Sequence, residues 1–60
     1  MLFIERYYGN SVQSPEVECS NDIIDKAQKG VVLISHTTIP RGKELESDWT
    51  YFIHAVFNGG

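Results

Sequence analysis

Sixty residues with eight Asp and Glu against five Lys and Arg, a net charge of −3 and a pI near 5.1 describe one small acidic domain. That balance argues against a nucleic-acid binder, whose affinity comes mainly from Lys and Arg neutralising phosphates, and against a ligand of anionic membranes. A chain this short buries only ~60% of the surface its unfolded state exposes. It therefore calls for a disulfide, a metal, or a partner surface.

Cys19 is the single cysteine, so no disulfide can form within one chain. Met1-Leu2-Phe3-Ile4 runs at once into Glu5 and Arg6, with no basic leader and too little apolar length for a signal sequence. No apolar run approaches the ~20 residues that span a bilayer. The expected location is the cytoplasm, or a host's cytoplasm if the source is viral, with no membrane partner.

In chain order, the first expected strand covers residues 2–8, with Leu2 and Ile4 on one face and Phe3 and Tyr7 on the other. Gly9-Asn10 suits a type II′ hairpin turn. A return strand is read at 16–19, with Val17 and Cys19 inward and Pro15 holding the segment to an edge. Ser20-Asn21-Asp22 offers a helix cap, and Ile23, Ile24 and Ala27 share one helical face, which predicts a helix over about 21–29. Asp22 and Lys26, and Asp25 and Lys29, are acid-before-base pairs four apart, each worth ~0.3 kcal/mol. Gly30 is the stop.

Val31-Val32-Leu33-Ile34 is the densest apolar run in the chain and predicts a strand over 31–37 that is buried on both faces and organises the rest. Ile39-Pro40-Arg41-Gly42 fits a type I turn. Residues 43–48 are polar and acidic apart from Leu45. The last strand, 49–57, alternates Trp49, Tyr51, Ile53, Ala55 and Phe57 with Thr50, Phe52, His54 and Val56. Residues 58–60 read as a tail.

The expected fold is therefore α+β, a two-layer ββαββ domain with a four-stranded, mainly antiparallel sheet and one short helix on one face. Its element order is similar to a minimal β-grasp or immunoglobulin-binding domain, which implies that the first and last strands are central and parallel. One short helix cannot cover both faces of such a sheet, so one face lies open or is closed by a partner or a second copy.

Catalytic, nucleotide and metal motifs are lacking. His36 and His54 lie on successive strands, but zinc needs three or four ligands, and neither Cys19 nor Asp48 stands at a recognised spacing from them. Cys19 with a histidine forms the outline of a nucleophile–base pair, yet it sits where a small buried side chain is ordinary. No cofactor or metal is expected, and no enzyme activity.

The suggestive cluster is Glu44, Glu46 and Asp48 running into Trp49 and Tyr51, acid for steering and aromatics for anchorage. These five are the expected partner-binding residues, and the expected partner is a larger protein with a basic groove. The functional expectation is a small acidic interaction module that occludes its target, resembling virus-encoded inhibitors of host or antiviral defence machinery in size and charge. The alternatives are a structural or regulatory homodimer joined through the open sheet face, and a small metal- or thiol-dependent protein using Cys19, His36 and His54.

Overall fold

The computed structural model describes residues 2–41 and 49–59. Four elements follow one another: β1 (Phe3–Tyr8), α1 (Pro15–Gln28), β2 (Val32–Pro40) and β3 (Tyr51–Asn58). The α+β class stands, but the sheet has three strands among the described residues, in the order β1-β3-β2, with both outer strands antiparallel to β3. The first and last strands do lie side by side, though antiparallel rather than parallel.

The expected strand at 16–19 is instead the first turn of α1. Ser14 has extended backbone, and its hydroxyl accepts the Val17 N–H at 3.3 Å. Pro15 follows as the first helical residue, where its fixed φ fits and its missing N–H is not needed. Glu16 and Glu18 complement the positive end of the helix, and the Glu18 N–H closes the first bond on Ser14 O at 3.0 Å. Pro15 thus starts a helix that is six residues longer at this end than residues 21–29 would be, and Ser20, Asn21 and Asp22 lie inside it. Gly9-Asn10 accordingly leads into a loop before α1, not a hairpin turn.

The far end of α1 behaves as expected. The Val31 N–H reaches Lys26 O at 2.9 Å and the Gly30 N–H reaches Ala27 O at 3.1 Å, the paired bonds of a Schellman stop. Gly30 supplies the positive φ, +79°. The inward stripe, however, is Pro15, Cys19 and Ile23, spaced four apart, while Ile24 and Ala27 are exposed.

β3 is the organising strand. Ile53, Ala55 and Phe57 face α1 and are buried, the last two completely, as the alternation of the segment predicts. Tyr8 and Cys19 complete the buried cluster, with Ile4, Ile23, Val31, Leu33 and Tyr51 packed around it. The apolar run at 31–34 does not play the central part: β2 is an outer strand, and Val32 and Ile34 are 63% and 52% exposed. A run of branched apolar residues reports a strand, but its place in the sheet depends on pairings made elsewhere in the chain.

A bulge shapes β2. Leu33 pairs with Phe57 and Ser35 with Val56, so Ile34 is an extra residue. The insertion reverses the in–out parity, and His36, not Ser35, falls in line with Leu33 on the helix side. β2 also runs on through Ile39 and Pro40, where a turn was expected; Gly42 lies outside the described residues. The expected tail is tied in as far as Gly59, whose N–H donates to Leu2 O at 2.7 Å, and Asn58 belongs to β3.

Candidate functional site

Strand register sorts the side chains onto two faces. On the helix side stand Ile4, Arg6 and Tyr8, then Ile53, Ala55 and Phe57, then Leu33, His36 and Thr38. On the outer side stand Phe3, Glu5 and Tyr7, then Phe52, His54 and Val56, then Val32, Ser35, Thr37 and Ile39. No described element covers this outer face. Phe3 and Tyr7 are 59% and 58% exposed, an unusual state for aromatic side chains on a sheet. Among the described residues, one face of the sheet is thus left uncovered by the single helix.

The outer face is ordered by contacts among its own side chains. Tyr7 stacks on His54 with ring centroids 4.5 Å apart and planes 18° from parallel. His54 Nε2 lies 3.1 Å from Glu5 Oε1. At one end the Arg41 guanidinium lies over the Phe52 ring, 3.7 Å from its centroid. Arg41 Nη2 also donates to Gly9 O at 2.6 Å and to Asn10 Oδ1 at 3.3 Å. One side chain thus spans the sheet from the end of β2, across β3, to the loop after β1. Sequence reading treats Arg41 as a turn residue, because the signal for this clamp is a long-range contact.

Of the expected partner-binding residues, Glu44, Glu46 and Asp48 lie outside the described residues. The indole N–H of Trp49 donates to Ser11 O at 2.8 Å, and the Tyr51 hydroxyl bonds to the Glu16 carboxylate. Both aromatics are half-buried and hold the β1–α1 loop and the start of α1 against β3. The Glu16 carboxylate raises the Tyr51 phenol above its ordinary range.

No known protein family, curated protein or solved structure matches this chain.

The residues considered for thiol or metal chemistry are divided between the faces. His36 pairs with Ala55, and its neighbour Thr37 pairs with His54, so the two imidazoles point to opposite sides of the sheet. Cys19 and His36 do share a small cleft of about 170 Å³ between α1 and the sheet, together with Glu16, Ser20, Ile23 and Ile53. Burial, then the negative charge of Asp22, raises the Cys19 thiol above its usual range, which makes it a poorer nucleophile. Among the described residues no three His, Cys, Asp or Glu side chains come together as a metal site, and no helix is long and apolar enough to cross a membrane.

Asp22 anchors the helix to the sheet. Its carboxylate accepts from the Tyr8 hydroxyl at 2.5 Å and from Lys26 Nζ at 2.7 Å, and Lys26 lies 5.1 Å from the centre of the Phe57 ring. Burial pushes the carboxyl up, but the bonds from Lys26 and Tyr8 and the positive charges of Lys26 and Arg6 outweigh it, and the net shift is downward. A lowered carboxyl stabilises the fold above its unfolded value of ~3.9 and loses that contribution as the pH falls through the folded value. Wild type is therefore expected to lose thermal stability more steeply than Asp22→Asn between about pH 4 and pH 2. The side chain is still 23% accessible, so the difference is modest. Parallel melting curves for the two proteins across that window would remove Asp22 from the acid response.

Proposed function

We propose that this domain is a small acidic protein-interaction module that docks on a larger protein with a basic surface and acts by occluding what it covers. The observation that carries this reading is the open outer face, where Phe3, Tyr7, Val32 and Ile39 are exposed around Phe52 and Val56. Exposed aromatics on ordered strands are the usual anchors of protein interfaces, since they bury large areas with little loss of side-chain freedom.

Charge supports the choice of a basic partner. The chain carries −3 overall, and Glu44, Glu46 and Asp48 fall between Arg41 and Trp49. Arg41, the last described residue before that acidic segment, lies across Phe52 at one end of the open face. In this reading the acids set the encounter rate and the exposed aromatics Phe3 and Tyr7 set the lifetime, while Trp49 and Tyr51 bond to the β1–α1 loop and to α1.

The test begins with a pull-down by the wild-type domain and continues as binding kinetics on the captured protein at two ionic strengths. Reversal of Glu44, Glu46 and Asp48 to Lys takes the net charge from −3 to +3 and is expected to slow association and reverse its salt dependence. Phe3→Ser with Tyr7→Ser is expected to speed dissociation at least tenfold. Wild-type kinetics from both folded variants would place the interface elsewhere.

A further inference from the structure

Among the described residues no strand pairs with the outer edge of β2. The Arg41 N–H donates to Thr50 O at 2.9 Å. Along an antiparallel ladder, residues that bond to the neighbouring strand alternate with residues that point away from it. Counting back from Arg41, Ile39, Thr37 and Ser35 turn their backbone groups to β3, while Pro40, Thr38 and His36 turn theirs outward. The position of Pro40 agrees with this, because a proline facing the outer edge removes no bond from the ladder. His36 and Thr38 thus present two N–H and two C=O groups along the edge, and both residues are exposed.

Outer strands are normally protected from pairing by charged side chains. β1 has Glu5 and Arg6, whereas residues 30–40 contain no Asp, Glu, Lys or Arg. The net −3 of the chain lies entirely outside this segment, so a second copy meets no like charge along it. The remaining safeguards are Pro40, which offers no N–H to the outer edge, and the bulge at Ile34, and they leave Ser35–Ile39 between them as regular strand.

We infer that β2 pairs antiparallel with β2 of a second copy, about a two-fold axis passing between their Thr37 residues. This register sets His36 against the second copy's Thr38 and Thr38 against its His36, so that all four donors and all four acceptors are used in four bonds. A shift by one residue opposes outward-facing groups to groups already used by β3. A shift by two brings in either Pro40, which has no N–H, or the bulge. The self-pairing is therefore favoured in one register, and the result is a six-stranded sheet with both helices on one side. The paired segment is short, which places the dimer at the weak end of specific interfaces.

Sedimentation equilibrium from micromolar to millimolar concentration reads the association directly. The expected result is a mass that climbs from 6.8 kDa toward twice that value. Thr38→Lys puts a charge on the edge without removing a bond to β3, and is expected to remain monomeric with an unchanged circular dichroism spectrum. Thr37→Cys is expected to form an interchain disulfide through residue 37 on mild oxidation, since residues opposed at such an axis have Cα atoms about 4.5 Å apart; Ser35→Cys is not. Cys19 is buried and does not compete. A monomer at every concentration overturns the inference. So does a dimer that Thr38→Lys leaves intact, and one dissolved by Phe3→Ser with Tyr7→Ser in place of Thr38→Lys would assign the contact to the open face.

Discussion

Phe57→Ala is expected to remove about 3–5 kcal/mol, half or more of a mid-range total stability for a domain of this size. Phe57 is fully buried on the central strand, between Ile4 and Leu33 on the two flanking strands and beneath Lys26 of α1. Every element of the fold therefore meets at this one ring. Removal of a buried phenylalanine costs about 3–5 kcal/mol. A domain of this size has roughly 3–9 kcal/mol in total, at ~0.05–0.15 kcal/mol per residue. Val32→Ala, on the exposed part of β2, is the control and is expected to stay within ~0.5 kcal/mol of wild type. Urea titration followed by circular dichroism compares them. Equal midpoints for the two variants would mean that the core does not centre on β3.

The second large effect is expected at Gly9. Its φ is +136°, a region closed to residues with a side chain, and an added Cβ would stand 2.9 Å from the backbone oxygen of Tyr51 and 3.2 Å from Arg41 Nη2. Gly9→Ala must therefore displace β3 backbone or the guanidinium, on top of a backbone strain of about 1–3 kcal/mol. Gly30 provides the comparison, because its φ is +79° with no atom within 4 Å of the added Cβ. Gly30→Ala carries only the left-handed strain, about 1–2 kcal/mol. The expected order of stability is wild type, then Gly30→Ala, then Gly9→Ala. If Gly9→Ala is the milder of the two in denaturant titrations, the close approach at Gly9 has no energetic weight.

The parts of this fold that are legible in the sequence are those governed by near neighbours. The alternation of β3, the stop at Gly30, the Asp22–Lys26 and Asp25–Lys29 pairs and the surplus of apolar residues over one helix all follow from local spacing, and each is present. The segment expected as a strand, 16–19, holds two residues that strands favour or tolerate, Val17 and Cys19, behind a proline. Its Ser-Pro-Glu start is itself a helix signal, and the cap at Ser14 settles the matter. The rank of β2 in the sheet had no local signal, because a bulge and an edge position are products of pairing. The candidate site divides in the same way. The open face could be anticipated from composition, but the reach of Arg41 to Gly9 joins positions 32 residues apart, and no pattern along the chain announces it.

The central strand is also the element that follows all the others in the chain. During synthesis β1, α1 and β2 emerge before the strand to which both β1 and β2 bond. Until then the two outer strands have no common partner, and α1 has only an incomplete surface to lie on. Sheet assembly therefore waits for long-range contacts, which slows folding relative to domains built from successive hairpins. In that interval the uncharged β2 segment is exposed along both edges. A nascent chain stalled just short of β3 is thus the form of this protein most prone to aggregate and most in need of a chaperone.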